Sequence, residues 1–106
     1  MTKETEAIFN MLNKEEDLKF DILDRVTERN ILDEEVFNDA ISDMAFYLED
    51  EVRASMRLRF IDVSMWADIV LPVVESADYR EISEIWLRSV RKRRTSRMDD
   101  EAKDNN

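Results

Sequence analysis

The sequence predicts an all-α fold, a single small helical bundle of about four to five helices with a disordered acidic C-terminal tail. Apolar residues recur at spacings of three and four, and strict alternation is confined to residues 57–63. The 106 residues include no glycine and one proline, so few positions favour a break in a helix. A chain of this length with 43% hydrophobic residues is expected to build one core and one domain, residues 1–97.

The first two helices are predicted from caps and spacing. Thr2 or Thr5 caps the first helix, and Asn13 with Glu16 forms a capping box that opens the second. Asn30 is expected to end the second helix in the left-handed conformation, where glycine would normally stand. The apolar positions of these helices are Ala7, Ile8, Met11, Leu12, Leu18, Ile22, Leu23 and Val26.

The third helix is predicted to be the longest, and a short helix follows it. Asp33 caps the third helix, which is predicted to run to about Leu58. Ser64 is expected to cap the short helix, which Pro72 should end or kink because proline lacks an N–H group. The apolar face of the third helix consists of Val36, Phe37, Ala40, Ile41, Met44, Leu48 and Val52.

The last helix is predicted to start at a capping box made by Asp78 and Glu81 and to fray near Arg97. Residues 98–106 contain four acidic residues and no apolar anchor, so they are predicted to form the disordered acidic tail. The inward residues of the last helix are expected to be Ile82, Ile85, Trp86 and Val90.

The large aromatic side chains are interpreted mainly as core, because a small helical domain needs bulky groups to fill its centre. Trp66 has a second interpretation. It lies in the apolar stretch 65–74, which only Asp68 solubilises, and such a stretch is either buried or a protein-binding patch. The residues considered are Phe9, Phe20, Phe37, Phe46, Phe60, Trp66 and Trp86.

The missing residue types exclude several chemistries. Without glycine, neither a P-loop nor a dinucleotide-binding fingerprint can be written. Without histidine and cysteine, a zinc finger, a Cys/His nucleophile and a Ser-His-Asp triad are excluded. We therefore expect a protein that is not an enzyme and that uses no cofactor or metal.

The chain offers no segment that predicts membrane contact or secretion. The longest apolar run, residues 69–74, contains Pro72, and the N-terminus lacks an apolar secretory core. The lack of cysteine agrees with a reducing compartment. A cytoplasmic protein is the expectation.

Charge is divided sharply along the chain. Residues 1–79 carry 8 basic and 20 acidic residues, residues 80–98 carry 7 and 2, and the whole chain has a net charge of −10. Between residues 34 and 51 stand seven carboxylates and no lysine or arginine. Three of them, Glu35, Asp39 and Asp43, share a helix face, although like charges at spacing four cost about 0.2 to 0.5 kcal/mol per pair.

This acidic helix is either a solvated face or a surface for a partner protein. A partner with a basic surface needs only electrostatic complementarity to engage it. The predicted partner-binding residues are Glu35, Asp39, Asp43, Asp50, Glu51 and Trp66.

The basic stretch near the C-terminus has three interpretations. Cations at a helix C-terminus complement the helix dipole, but six are more than that role requires. They are therefore also candidates for nucleic-acid contact, or for pairing with the acidic helix of another copy in a homo-oligomer. We expect their replacement at residues 91–94 to cost little stability. The six residues are Arg88, Arg91, Lys92, Arg93, Arg94 and Arg97.

In composition the chain resembles small acidic helical inhibitors and accessory factors of phages and mobile elements, some of which imitate DNA. The resemblance covers no motif. It implies a non-enzymatic protein-binding domain that occupies a basic, nucleic-acid-binding surface of a partner. The alternative is a nucleic-acid-binding regulatory or accessory subunit that acts through the arginine-rich last helix.

Overall fold

The computed structural model describes the backbone of residues 1–60 and 62–104, and the side chains of residues 1–60 and 62–97. All regular structure in this part of the chain is helical, which confirms the predicted fold class. The elements are α1 (Lys3–Lys14), α2 (Glu16–Thr27), α3 (Glu34–Arg59), α4 (Val63–Met65), a π-helical stretch (Trp66–Val70), α5 (Leu71–Ser76) and α6 (Tyr79–Asp104).

The described helices form one bundle. The π-helical stretch joins α4 to α5 without interruption, so residues 63–76 count as one helix and the described part contains five. Both α1 and α3 pack against α2, α5 and α6. No described helix is long and apolar enough to cross a membrane. The fully buried core side chains include Leu12, Ile22, Val26, Ile31, Phe37, Met44, Leu48, Val52, Val74, Ile82 and Leu87.

The start of α1 is tied to the start of α6. Thr2 is the N-cap of α1, and its hydroxyl oxygen accepts a hydrogen bond from the Thr5 backbone N–H. Thr5 is itself buried, and its hydroxyl oxygen accepts from the Asp78 N–H at 2.9 Å. Asp78 caps α6 as predicted, through a carboxylate oxygen that accepts from the Glu81 N–H at 3.0 Å.

The predicted boundaries of α2 are wrong at both ends. Asn13 does not cap the helix, because its side-chain oxygen accepts a hydrogen bond from Lys19 Nζ at 3.2 Å. No described residue has a positive φ, so Asn30 does not end α2 in the left-handed region. The Arg94 guanidinium donates instead to the Thr27 carbonyl at 2.6 Å, which satisfies the C-terminus of α2 from another helix.

The predicted cap and length of α3 are confirmed. Asp33 accepts hydrogen bonds from the Glu35 and Val36 N–H groups, and the helix ends at Arg59. Its predicted apolar face lies in the core, except that Val36 is only partly buried.

The short helix differs from the prediction at its start and at its proline. Asp62, and not Ser64, caps it by accepting from the Met65 N–H at 3.1 Å. The helical backbone continues through Pro72, and the irregularity precedes it. The Leu71 N–H bonds to the Trp66 carbonyl five residues back, which is the π-helical spacing.

Some aromatic and apolar side chains predicted for the core are exposed. Phe20 is 57% exposed and Phe46 is 69% exposed, so both are corrected from core to surface. Ile85 also lies at the surface, while Leu87 takes a core position on α6 that the prediction missed. The disorder predicted for the tail falls on residues 98–106, whose side chains lie outside the described residues.

Candidate protein-binding surface

The outward side of α3 carries four of the predicted partner-binding carboxylates. At about 100° per residue, Glu35, Asp39, Asp43 and Asp50 fall within an arc of roughly 80°. They lie on the side opposite the buried residues, and we call them the acidic face. Glu51 is separate: it is one residue beyond Asp50, turns toward the core side of the helix and is partly buried.

The acidic face is only partly neutralised inside the molecule. Arg29, from the segment after α2, donates to Asp43 at 2.5 Å, and both side chains are partly exposed. Such an exposed pair is worth about 0 to 1 kcal/mol. Among the described residues, no cation lies within salt-bridge distance of Glu35, Asp39 or Asp50.

An exposed aromatic ring lies in the middle of the acidic face. Phe46 follows the buried Phe37 by nine residues, which is about half a turn off the core direction at 100° per residue. Its ring meets the ring of Tyr47 edge to face, with centroids 6.3 Å apart. Prediction from the sequence missed this residue, although the periodicity of the α3 core contains the signal that places it outside.

Beyond Phe46, the acidic face opens into a cleft against the π-helical stretch. This Trp66 cleft has a volume of about 370 Å³ and is lined by Asp50, Arg53, Ala54, Arg57, Trp66 and Leu71. A second depression of about 320 Å³ is lined by Phe46, Glu49, Asp50 and Arg53. The two share Asp50 and Arg53, so the surface continues from Phe46 to Trp66. The structure thus brings together Asp50 and Trp66, which the sequence predicted separately.

Local structure positions Trp66 in this cleft. Pro72 cannot donate a hydrogen bond to the Asp68 carbonyl four residues back, and the chain turns in π-helical geometry just before it. Arg57 lies over the indole ring of Trp66, with its guanidinium carbon 5.8 Å from the ring centroid. The same Arg57 donates to the Phe60 carbonyl at 2.7 Å, which anchors it at the end of α3.

Tyr79 lies at the start of α6, within electrostatic reach of Glu49 and Arg53. It is 6% exposed, and its hydroxyl donates to the Val74 carbonyl at 2.6 Å. Burial and, to a smaller extent, the Glu49 carboxylate together raise the pKa of Tyr79 from 10.0 to about 12, while Arg53 opposes the shift. The phenol therefore stays protonated and keeps its hydrogen bond over the whole neutral range.

Three of the six basic candidates make contacts within the molecule. Arg88 pairs with Glu84 in its own helix at 2.5 Å. Arg91 pairs with Glu34 at 3.2 Å, and its guanidinium carbon stands 3.8 Å above the Phe37 ring. Arg94 donates to the backbone carbonyls of Thr27, the last residue of α2, and of Arg29 just after it.

The other three basic candidates, Lys92, Arg93 and Arg97, are exposed and have no carboxylate partner among the described residues. Arg93 and Arg97 line a depression of about 220 Å³ together with Val90 and Arg94. Lys92 directly precedes Arg93 and lies about 100° from it around the helix, so it points to another side. Half of the basic candidates therefore make contacts within the molecule, and the other half are exposed at the surface.

No group of three or more carboxylates among the described residues is placed to hold a metal ion. In comparisons with known proteins, no protein-family model, no curated protein and no solved structure matches the chain. The functional argument therefore depends on the surfaces themselves.

Proposed function

We propose that this chain is a non-enzymatic protein-binding domain, an inhibitor or accessory factor, whose acidic face and Trp66 cleft dock on a basic surface of a partner. One observation carries the proposal. Phe46 is 69% exposed at the centre of the acidic face and borders a depression that continues into the Trp66 cleft.

An exposed aromatic ring surrounded by charge is the arrangement of a binding hot spot. Aromatic anchors near the centre of an interface supply much of its affinity, while polar groups around them exclude water. Burying a phenylalanine side chain is worth about 1.5 to 3 kcal/mol. The carboxylates add attraction at a distance, which raises the association rate more than the affinity.

The partner surface must complement both features. It needs lysine or arginine side chains opposite Glu35, Asp39 and Asp50, and an apolar group opposite Phe46. A basic amphipathic helix or a basic groove with an apolar floor has this chemistry. The cleft at Trp66 adds room for one further side chain of the partner.

A more specific form of the proposal is that the acidic face imitates duplex DNA. The charge density of α3 alone is too low for a close imitation. Duplex DNA presents about one charge per 1.7 Å of axis. The four carboxylates of the acidic face span about 22 Å of helix, or roughly one charge per 6 Å, and Arg29 already pairs with one of them. We therefore favour a complementary acidic patch. A cytoplasmic location, suggested by the cysteine-free sequence, belongs to the same proposal.

The test compares two exposed phenylalanines. Affinity capture from the source cell, followed by mass spectrometry, is performed with the wild type and with Phe46→Ala and Phe20→Ala. Phe20 is a matched control because it is 57% exposed on α2 and lines neither the depression at Phe46 nor the Trp66 cleft. The proposal expects a partner that Phe46→Ala loses and Phe20→Ala retains, with a basic surface at the contact. Equal capture by both variants would remove Phe46 from the interface.

The second candidate function is nucleic-acid binding through α6, favoured by the exposed Lys92, Arg93 and Arg97. A salt-sensitive gel shift of DNA or RNA that the triple variant Lys92→Gln, Arg93→Gln, Arg97→Gln abolishes would support it, because each phosphate contact releases counterions. Light scattering on the same variant tests self-association through these residues. The first proposal expects neither a shift nor an oligomer.

A further inference from the structure

A separate groove lies between α1, α2 and α6, with a volume of about 230 Å³. Its apolar lining is formed by Phe9, Leu23, Ile85 and Trp86. Phe9 and Trp86 pack together, with ring centroids 6.4 Å apart, and Trp86 is 4% exposed. The groove is thus a concave apolar site built on three helices, independent of the acidic face.

Two cations from different helices border this apolar lining. Lys19 of α2 has its Nζ 5.0 Å from the centroid of the Trp86 ring and donates to the Asn13 side-chain oxygen at 3.2 Å. Arg93 of α6 lines the same groove, with the Ser89 hydroxyl one turn before it. The hydrogen bond to Asn13 therefore orients Lys19 at the groove. It is the same contact that Asn13 makes in place of the predicted helix cap.

Both cations lack a carboxylate partner in the described part of the chain. Neither Lys19 nor Arg93 belongs to a salt bridge there, whereas Arg25, Arg29, Arg53, Arg59, Arg88 and Arg91 all do. The chain carries 26 acidic residues and has a net charge of −10. Two unpaired cations at one apolar groove therefore make this site positive on a negatively charged protein. Their positive charge is therefore available to an anionic ligand.

We propose that this groove binds a small organic carboxylate with an apolar body, such as a single aromatic ring. Lys19 and Arg93 contact the carboxylate, and Phe9, Leu23 and Ile85 cover the ring. The size of the groove selects a fragment, because sites for drug-sized ligands have about 300 to 1,000 Å³. A nucleic-acid strand would need a row of phosphate contacts instead of an enclosed apolar floor.

The experiment uses fluorescence of Trp86 in the full chain. The chain has two tryptophans, so Trp66→Phe makes Trp86 the only one, and Trp66 lies outside the groove. Phenylacetate is the probe, benzyl alcohol is the uncharged ring control and acetate is the ringless anion control, all at constant ionic strength. We expect a saturable change with phenylacetate, with a Kd in about the millimolar range for some ten non-hydrogen atoms. Neither control should saturate.

Charge variants in the same background locate the site. Lys19→Gln and Arg93→Gln should each raise the Kd for phenylacetate at least about tenfold, the loss expected for one charge-assisted contact. Lys92→Gln is the matched control, since Lys92 is exposed beside Arg93 but does not line the groove, and it should leave the Kd unchanged.

Three results would overturn the proposal. They are no saturable change in the wild-type groove, equal binding of benzyl alcohol, and equal loss of affinity in Lys92→Gln. Circular dichroism of each variant, with thermal melting, verifies that the fold is retained. If a variant is destabilised, the remaining cation variant and the two ligand controls still decide the outcome.

Discussion

The acidic face of α3 and the basic stretch of α6 are the two charged regions of the molecule, and they are used differently. Three of the four carboxylates of the acidic face have no cation within salt-bridge distance in the described part of the chain. On α6, by contrast, Arg91 and Arg94 contact α2, α3 and their flanking residues. A run of like charge is therefore not a functional unit, because some of its side chains contact other helices while others face solvent.

The division has a physical cause. A guanidinium can stack on a ring and donate to carbonyls at the same time, so arginine suits a helix seam and the C-terminus of a neighbouring helix. A carboxylate on the solvent side of α3 has no such contacts to make. We therefore expect changes at Arg91 and Arg94 to affect stability, and changes in the α3 carboxylates to affect binding.

The largest expected effect is at Tyr79, the first residue of α6. Its folded-state pKa of about 12 exceeds the ordinary value of 10.0, so the folded state binds this proton more tightly than the unfolded state. The resulting stability is fully present below pH 10 and is lost as the pH rises to about 12. Two pKa units correspond to about 2 to 3 kcal/mol. Urea unfolding across that pH range should show the loss in the wild type and a smaller one in Tyr79→Phe.

The next effect separates two adjacent arginines. Arg94→Gln should lower the free energy of unfolding by about 1.5 kcal/mol, because it removes charged donors from the Thr27 and Arg29 carbonyls. Arg93→Gln is the control and should change it by less than about 0.5 kcal/mol. Chemical denaturation measures both. Equal losses would mean that Arg94 is as solvated as its neighbour.

A smaller difference is expected between Arg91 and Lys92. Arg91→Gln should cost about 1 kcal/mol, mainly through the lost contact with the buried Phe37 ring, since Glu34 is largely exposed. Lys92→Gln should be neutral within about 0.5 kcal/mol. These values revise the expectation that replacing residues 91–94 costs little. Thermal melting of the two variants measures the difference, and a neutral Arg91→Gln would contradict the stabilising role of the contact between Arg91 and Phe37.

The smallest stability effect should come from the acidic face. Glu35→Gln, Asp39→Asn and Asp50→Asn together should change the free energy of unfolding by no more than about 0.5 kcal/mol, and relief of like charge favours a slight gain. Urea unfolding at low salt is the measurement. A large loss of unfolding free energy would show that these carboxylates stabilise the fold, as Arg91 and Arg94 of α6 are expected to do.

Features decided by neighbouring residues could be predicted from the sequence. The caps at Thr2, Asp33 and Asp78 each involve a side chain and a backbone N–H within three residues, and all are confirmed. The exposure of Phe46 was also predictable, since it lies about half a turn from the periodic core of α3.

Features decided by distant contacts could not be predicted. The predicted cap at Asn13 is wrong because the Asn13 side chain accepts a hydrogen bond from Lys19. The predicted helix end at Asn30 is wrong because Arg94 donates to the C-terminal carbonyl of α2. The meeting of Asp50 with Trp66 and the groove at Lys19 depend on how helices cross, which spacing along one helix does not specify.

The most direct test of the central claim is the association rate of the captured partner, measured at low and high salt. Three proteins are compared: the wild type, the acidic-face triple variant Glu35→Gln, Asp39→Asn, Asp50→Asn, and the basic triple variant Lys92→Gln, Arg93→Gln, Arg97→Gln. We expect the acidic-face variant to associate about tenfold or more slowly at low salt, with the difference shrinking at high salt, and the basic variant to be unimpaired. A normal rate for the acidic-face variant together with slow association of the basic variant would contradict the account and assign binding to α6.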